Sequence, residues 1–478
     1  MFLLAMEESL DYTQNITEFP TRKIPKIWEP NSIDELREIV TTANKEARPV
    51  YPISTGHNWG LGSKLPIQDS DLIVLRKLNE IVEVNEDLAY ARVQPGVTQL
   101  QLAEHLAKNH PELILNVTGG SARSSILGNA VERGSGKNGQ RANDIRELKV
   151  MLASGEEFST GFGNMPSAGP SYYKFGLGPD ITHLFTQSNY GIVTECTINL
   201  IPKDSFTLFL TYLDFDDLGE FLDVFSKLVR KGVVGHSLEV DSQNDPKIFE
   251  LFDHEVNPKN WICWFVVYGE AGIRSAKNAC IKNSLSSVCR QIKTYESTAE
   301  NKEALPPVKV RMSRYNGIPT DHSLISTAQA FGVDLDSDNP DIDFYKALPG
   351  FRCILPVIPF SRKGADIIDF IHHLSSRLGL APVLSIICLD DYALEVFVRV
   401  HFDRENETQI SAADRWAKTL LVELKKEGIF PYRLDVENMN FYLSNANDPF
   451  SNLKNEIKKF LDPQGVISSG RYQLINYK

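Results

Sequence analysis

A glycine-rich stretch over residues 54–63 constrains the fold of this chain more than any other feature. It reads Ser-Thr-Gly-His-Asn-Trp-Gly-Leu-Gly-Ser and directly follows a predicted strand at residues 50–54. Three glycines within seven residues let the backbone approach a ligand and turn its amide groups inward, which suits a diphosphate. The stretch does not fit the G-x-G-x-x-G pattern and no clear helix follows it, which disfavours a Rossmann site. A turn that binds nothing is the alternative.

The residues before position 204 alternate between predicted strands and predicted helices. Ser32 and Glu35 form a capping box at the start of one helix, and Thr98 caps a second helix. Further strands are predicted at residues 71–75 and 90–93. Elements that interleave in this way indicate an α+β or α/β unit.

The residues beyond position 205 repeat the strand-then-helix pattern at longer spacing. Strands are predicted at residues 206–213, 262–268 and 394–401, and a helix is predicted at 365–377. Residues 291–345 are polar and contain four prolines, so we expect long loops there.

The composition narrows the class of protein. The 478 residues are enough for two or three domains, and Lys+Arg 50 against Asp+Glu 62 gives a net charge of −12. An acidic chain without a basic run makes poor contacts to a phosphate backbone, so we expect no nucleic-acid partner. Six scattered cysteines without a C-x-x-C pair indicate free thiols and no metal site. Neither a signal peptide nor an apolar stretch of membrane-spanning length is found, so we expect a cytoplasmic protein with no membrane partner.

Two further segments are rich in small residues. One reads Val-Thr-Gly-Gly at residues 117–120 and continues as Ser-Ser-Ile-Leu-Gly-Asn-Ala-Val-Glu-Arg-Gly at 124–134. The other covers residues 177–180 and then Phe-Thr-Gln-Ser-Asn-Tyr-Gly-Ile-Val-Thr at 185–194. Such segments let a large flat ligand lie against the backbone. Each of them, taken alone, equally fits a tight turn between strands.

The order and spacing of these motifs resemble the vanillyl-alcohol oxidase family of flavoproteins, which includes 4-cresol dehydrogenase and eugenol oxidase. The strings at residues 127–134 and 185–194 resemble the signatures of that family. The segment Leu-Asp-Pro-Gln-Gly-Val-Ile at 461–467, followed by Ser-Gly-Arg at 469–471, is similar to its closing segment. The resemblance runs from about residue 20 to the end and is clearest near both ends of the chain.

The resemblance implies an α+β fold with an FAD-binding domain of the PCMH (p-cresol methylhydroxylase) type, built from both ends of the chain. Residues 1–204 and 428–478 would form that domain, and an α+β cap domain with an antiparallel sheet would be inserted at 205–427. The protein would place the N5 atom of FAD against a substrate carbon. The residues expected at the cofactor are Ser54, Thr55, Gly56, His57, Asn58, Gly60, Leu61, Gly62, Pro95, Gly96, Gly119, Gly120, Ser125, Gly128, Asn129, Glu132, Gly134, Gly191, Ile192, Val193 and Arg471.

The same resemblance makes Tyr90, Tyr432 and Arg433 the catalytic candidates, since they fall where the family keeps two tyrosines and an arginine around a phenol oxygen. Two hydroxyl donors and a fixed cation favour the phenolate. The implied reaction oxidises the side chain of a para-substituted phenol by hydride transfer from the benzylic carbon to flavin N5, through a quinone methide. The residues alone also allow roles outside catalysis. Tyr90 could be a half-buried strand residue, and Arg433 could be an ion-pair partner on the surface.

His57 marks a departure from the nearest relatives, which usually have Arg or Lys here and attach the flavin through a His or Tyr in the cap. The corresponding cap stretch, Gly-Phe-Arg-Cys-Ile-Leu-Pro at 350–356, contains neither residue. More distant relatives of the berberine-bridge type carry a flavin-linked His in a similar loop, so we expect FAD to be attached covalently through His57. The second link of those relatives needs a Cys, which residues 119–125 lack.

The catalytic acid of the family is a second departure. The segment after the Glu-Arg-Gly string, residues 135–144, lacks the Tyr-Gly-Asp-His motif in which that Asp usually lies. Asp144 and Asp391 are the candidate replacements, with capping of the next strand as the alternative role of Asp144.

The resemblance leaves several alternatives open. A berberine-bridge-like oxidase of a sugar or secondary metabolite is the second enzyme hypothesis, and a flavin-binding module without turnover is the non-enzyme one. Expected partners are a small phenolic substrate, oxygen or a redox protein as electron acceptor, and a second copy of the chain in a homodimer.

Overall fold

The structure is a computed structural model that describes residues 12–165, 171–251, 260–299, 301, 303–335, 342–443 and 448–472. The elements of the first part of the chain are β1 (Ile27–Trp28), α1 (Ile33–Lys45), β2 (Val50–Ile53), β3 (Asp71–Val74), β4 (Ile81–Asn85), β5 (Tyr90–Val93), α2 (Gln99–Asn109), β6 (Leu113–Ile114), α3 (Ile126–Val131), β7 (Ser135–Gly136), β8 (Gly139–Gln140), β9 (Ile145–Met151), β10 (Glu157–Ser159), β11 (Ile192–Asn199) and β12 (Ile201–Pro202).

Two sheets organise this first part. Strands β1, β3 and β2 form a parallel sheet in that order, and β10, β9, β11, β5 and β4 form an antiparallel sheet in that order. Helix α1 begins where the capping box predicts, because the Ser32 hydroxyl accepts a hydrogen bond from the Glu35 amide at 3.1 Å. Thr98 caps α2 in the same way through the Gln101 amide.

The middle of the chain forms the predicted antiparallel sheet, with helices around it. Its elements are β13 (Phe206–Leu213), α4 (Leu218–Arg230), β14 (Glu239–Ser242), β15 (Trp261–Tyr268), α5 (Ala271–Leu285), β16 (Gln291–Glu296), α6 (Pro306–Tyr315), α7 (His322–Ala330), α8 (Phe344–Ala347), β17 (Gly350–Ile354), β18 (Val357–Pro359), α9 (Arg362–Arg377), β19 (Val383–Cys388), β20 (Ala393–Phe402) and α10 (Glu407–Lys426). The strand order is β16-β13-β15-β14-β19-β20-β17, with β18 also paired to β20. We call this the cap sheet.

The two faces of the cap sheet differ in chemistry. On β20 the even-numbered residues 394–402 are apolar and belong to the largest hydrophobic core, which α4, α9 and α10 complete. The odd-numbered positions of the same strand carry Glu395, Phe397, Arg399 and His401. Side chains alternate between the faces of a strand, so the second face presents charged and aromatic groups. Glu395 on this face bonds to Ser135 in the first part of the chain.

The last segment of the chain returns to the first part. Its elements are α11 (Asn438–Leu443) and α12 (Pro449–Leu461). Beyond α12 the chain runs beside β2, where the Val50 amide donates to the Val466 carbonyl at 2.9 Å and the Ser468 amide donates to the Val50 carbonyl at 2.8 Å. The prediction that both ends of the chain build one domain around an inserted cap is therefore confirmed, whereas the exact domain boundaries stay a prediction.

The prediction of long loops at residues 291–345 is wrong. This region contains β16 and three helices, α6, α7 and α8. Pro306 and Pro307 occupy the first turn of α6, where a missing amide costs nothing, so they start a helix instead of breaking one. Among the described residues no helix is both long enough and apolar enough to cross a membrane.

Candidate active site

A cavity lies where four segments of the FAD-binding part converge. They are the loop after β2, the N-terminal end of α3, the segment that leads into β11, and the closing segment near residue 470. The predicted cofactor residues that line it are Ser54, Thr55, Gly56, His57, Asn58, Pro95, Ser125, Gly128, Asn129, Glu132, Gly191, Ile192, Val193 and Arg471. Arg433 lines the cavity as well.

Hydrogen bonds lock these segments to each other. Ser125 caps α3 by accepting from the Gly128 amide at 2.9 Å, and its hydroxyl donates to the Pro95 carbonyl. The Ser125 amide donates in turn to the Thr55 hydroxyl at 3.1 Å. A Cβ atom on Gly128 would lie 2.5 Å from the Ser54 hydroxyl oxygen, so only glycine allows this approach of α3 to the loop.

Seven predicted cofactor residues lie outside the lining of the cavity. At Gly60 and Gly62, close packing against other residues explains why the position is a glycine. A Cβ on Gly60 would lie 2.2 Å from the Phe351 ring, and one on Gly62 would lie 2.4 Å from Val436. These two glycines let the loop pack against neighbouring residues instead of a ligand. The full set outside the lining is Gly60, Leu61, Gly62, Gly96, Gly119, Gly120 and Gly134.

An ion cluster forms one end of the cavity. Glu132 bonds to Arg471 and also to Arg433, whose Nε lies 3.2 Å from a Glu132 oxygen. Burial raises the pKa of Glu132, but the charges of Arg471 and Arg433 outweigh it and hold that pKa below its usual value. Arg433 also donates to Asn58 at 2.8 Å. Two guanidinium groups against one carboxylate leave excess positive charge, which suits an anionic or electron-rich ligand.

The cavity carries the polar groups that a bound FAD requires. Two buried polar atoms in its lining, His57 Nδ1 and Asn129 Oδ1, have no hydrogen-bond partner among the described residues. Buried polar atoms are ordinarily satisfied, so they point to a ligand that supplies the missing partners. The residues present fit the cofactor.

His57 lies in the lining with its ring stacked on Trp59, the ring centroids being 5.4 Å apart. Burial and the nearby charge of Lys64 lower the pKa of His57 to about 4, so the imidazole is neutral at pH 7. Its Nδ1 is buried and has no hydrogen-bond partner among the described residues.

Tyr432 and Arg433 are brought together, and a residue that the sequence interpretation missed joins them. Glu395 on β20 is 3% exposed and is hydrogen-bonded to both the Tyr432 hydroxyl and the Ser135 hydroxyl. Burial raises the pKa of Glu395 to about 7. Burial and the Glu395 carboxylate raise the pKa of Tyr432 well above its usual value, so that side chain stays a neutral hydroxyl. The sequence offered one signal for Glu395, because it is an acidic residue within a strand, β20, that is otherwise mostly apolar.

The structure does not bring Tyr90 to this group. Its hydroxyl donates to Glu83 at 2.7 Å and its ring lies beside Arg146, within the antiparallel sheet of the FAD-binding part. Strand β5 leads from Tyr90 to Pro95 in the cavity lining, and five residues of strand span about 16 Å. The sequence motif around Pro95 thus reaches the site, whereas Tyr90 lies at the far end of its strand.

Neither predicted replacement for the catalytic acid lies at the site. Asp144 accepts a hydrogen bond from Asn116 at 3.0 Å, and burial raises its pKa to about 6, but it is absent from the cavity lining. Asp391 lies at the turn before β20 with its side chain 45% exposed, paired with His236. Gln187, from the predicted segment 185–194, and Ser468, which the sequence analysis did not single out, also line the cavity.

Comparison with known proteins agrees with this site. A family profile described as an FAD binding domain matches residues 25–161. The chain is 27% identical to 1'-carboxy-chondrochloren decarboxylase of Chondromyces crocatus, over 95% of this chain and 91% of that protein. It is 24% identical to the 4-cresol dehydrogenase [hydroxylating] flavoprotein subunit of Pseudomonas putida, over 92% of this chain and 86% of that protein.

The fold is that of a solved flavoenzyme. The crystal structure of p-cresol methylhydroxylase with substrate bound matches with a TM-score of 0.85 and 21% sequence identity, over 97% of this chain and 92% of that chain. The fold, the FAD-binding profile and the full-length relatives agree with one another, and together they support an FAD-dependent oxidoreductase with the PCMH-type fold.

Proposed function

We propose that the protein oxidises the side chain of a para-substituted phenol. The observation that supports this most is the grouping of Arg433, Tyr432 and Glu395 beside the cavity. A benzylic hydride leaves readily only after the phenol has lost its proton, because the phenolate charge flows through the ring toward that carbon. Bound FAD would supply the hydride acceptor, its N5 atom.

The three side chains can remove and replace this proton. A phenol hydroxyl that donates to Tyr432 passes its proton to that oxygen, while the Tyr432 hydroxyl proton moves to Glu395. Glu395 suits this role because its pKa of about 7 is close to neutral pH. The guanidinium of Arg433 stabilises the phenolate that is left.

The fate of the oxidised side chain follows from what it carries. Water adds to the benzylic carbon, or the neighbouring carbon loses a proton or a carboxylate. The related 1'-carboxy-chondrochloren decarboxylase is named for loss of a carboxyl group, which is one of these outcomes.

Anaerobic bleaching of the flavin tests the reaction. We expect 4-ethylphenol or a longer para-alkylphenol to reduce the bound flavin, and the matching methyl ethers to leave it oxidised, since an ether cannot form the phenolate. Reduction by a sugar or an aliphatic alcohol without any reduction by phenols would instead favour an oxidase of the berberine-bridge type and contradict the proposal.

We further propose that FAD is attached through Nδ1 of His57. That nitrogen is buried, neutral and unpartnered in the cavity lining, whereas the thiol of Cys353 in the cap donates to the Gly60 carbonyl. Burial raises the pKa of Cys353, so it is a poor nucleophile. The new bond would replace one hydrogen of the flavin 8α-methyl group with nitrogen, and the two electrons released would pass to oxygen.

Denaturation tests the attachment. Flavin that stays with the protein in acid or detergent, on a peptide containing His57, is the expected result. Complete release of FAD into the supernatant would overturn it, as would a mass increment on the peptide around Cys353. A homodimer, and oxygen or a redox protein as acceptor, stay predictions that sedimentation and reoxidation rates can test.

A further inference from the structure

Two buried carboxylates, Glu395 and Glu239, are aligned across three neighbouring strands of the cap sheet. Glu395 on β20 pairs with Ile387 on β19, and Ile387 pairs with Glu239 on β14. The two glutamates are thus separated by two strand spacings, about 10 Å. A phenol with a side chain of two or three carbons spans that distance between its oxygen and the end of the chain.

The hairpin of β7 and β8 contacts both of these glutamates. Ser135 bonds to Glu395, and two residues later Lys137 bonds to Glu239. Lys137 is buried, and its Nζ lies 3.8 Å from the position that a Cβ on the exposed Gly119 would take, so the ammonium group lies beneath an exposed loop position. Tyr432 and Arg433 therefore lie at the Glu395 end of this arrangement, and Lys137 lies at the Glu239 end, beneath the loop at Gly119.

Lys137 belongs to a buried group of charges that we call the cap cation cluster. It contains the cations Lys137, Lys247, Arg311, Arg314 and Arg399 and the carboxylates Glu239, Asp241 and Asp245. Five cationic side chains stand against three carboxylates, but burial lowers the pKa of Lys137 to about 7, so its ammonium group is only partly charged at neutral pH. Two histidines beside the cluster, His322 and His401, add no charge because burial lowers their pKa to about 4 and about 3. With Glu395 ionised, one positive charge remains in excess while Lys137 is protonated.

The excess charge is also visible in the bonding. The hydrogen bonds of Arg314 among the described residues go to the hydroxyls of Thr320 and Ser323, not to a carboxylate. Arg311 is 1% exposed in its side chain, and its Nε and Nη1 have no hydrogen-bond partner within the described part of the chain. Among these residues Arg314 is thus a buried cation without a carboxylate partner, and Arg311, although paired with Glu239 and Asp241, keeps two donors without a partner. An anion that is not part of the protein would satisfy both cations.

We propose that the cap cation cluster, with Lys137 beneath the loop at Gly119, binds a carboxylate at the end of the substrate's para side chain. The proposal rests on the proposed function, which places the phenol oxygen at Tyr432 and Arg433. It defines the substrate class as para-substituted phenols with an acidic side chain. Lys137 and the unpartnered guanidinium atoms of Arg311 supply the donors, and the pairing of Lys137 with Glu239 holds the ammonium group in place before the substrate binds.

Matched phenols test the proposal with the FAD-loaded enzyme. The probes are 3-(4-hydroxyphenyl)propanoate and its neutral counterpart 4-propylphenol, with binding measured by calorimetry and reactivity by anaerobic flavin reduction. We expect the acid to bind about tenfold or more tightly than the neutral phenol, as hydrogen bonds to charged groups imply. The double variant K137M/E239Q removes one buried charge of each sign, and it should bind both phenols with similar affinity.

Variants and controls separate the outcomes. Lys149→Met, which removes an ammonium group from β9 in the FAD-binding part, should keep the preference for the acid, and Lys137→Arg should keep most of it. FAD content and circular dichroism show whether the double variant is folded. If the double variant is not folded, the single variant Arg311→Met is measured in its place, and we again expect the preference for the acid to be lost.

A neutral phenol that reduces the flavin as well as the acid, or a preference that survives both variants, overturns the carboxylate site while leaving the proposed function intact. Failure of both phenols to reduce the flavin overturns the proposed function itself.

Discussion

Replacing Glu395 by glutamine should change how the stability of the protein depends on pH. Burial raises the pKa of this carboxyl from 4.5 in the unfolded chain to about 7 in the folded one. Between these values the folded protein holds a proton that the unfolded chain has released, so the free energy of unfolding falls as pH rises. The difference between the two pKa values corresponds to about 3 kcal/mol, and most of it lies between pH 5 and pH 8.

Urea denaturation of the FAD-loaded enzyme at pH 5 and pH 8 measures this effect. Other groups titrate in the same interval. The change in unfolding free energy between the two pH values is therefore measured for wild type and for Glu395→Gln, and the difference between these two changes is the quantity of interest. The stability of the variant relative to wild type should be higher at pH 8 than at pH 5 by about 2–3 kcal/mol. Glu405→Gln, which removes an exposed carboxylate just beyond β20, is the matched control and should follow wild type. Parallel curves for wild type and Glu395→Gln would refute both the raised pKa and the role of Glu395 as proton acceptor.

Three further predictions concern other parts of the molecule. Arg433→Ala should slow flavin reduction by a phenol by about 10²–10³-fold, the usual cost of losing one charged donor at a transition state, and an unchanged stopped-flow rate would remove Arg433 from the site. Tyr90→Phe should leave that same rate within about twofold of wild type, because the Tyr90 hydroxyl is bonded to Glu83, and a large loss would restore Tyr90 to the phenol site. Lys458→Met should lower the free energy of unfolding by about 3–5 kcal/mol, since it leaves the buried Asp462 carboxylate without its cation, and an unchanged urea midpoint would contradict this.

The fold was largely predictable because its signals are local. Capping residues such as Ser32 and Thr98 mark helix starts by hydrogen bonds within one turn, and alternating strands such as β20 show their buried face directly. The failure at residues 291–345 has an equally local cause. Prolines interrupt a helix in its interior but favour its first turn, and the sequence alone did not say which position Pro306 and Pro307 would occupy.

Residues of the site were predictable only where a single segment of the sequence contributes them. The loop at 54–58 and the start of α3 line the cavity as their small residues indicated. Glu395, by contrast, reaches Tyr432 and Ser135 only after three distant segments have packed together, and no spacing in the sequence reports such a meeting. Tyr90 shows the reverse case, since its closeness in sequence to Pro95 suggested a contact that the length of a strand prevents.

The bonding of residues 466–468 to β2 has a consequence for how this protein is made. Val50 and Val466 are separated by 416 positions, so the edge of the first sheet must wait for nearly the whole chain to be synthesised. At ~5–20 residues per second the ribosome needs roughly 20–80 s to supply the missing segment. During that time the edge of β2 is unpaired and the inserted cap can already fold, so early N-terminal fragments offer an exposed strand edge to chaperones and to each other. The yield of active enzyme should therefore depend on translation speed and on chaperone supply.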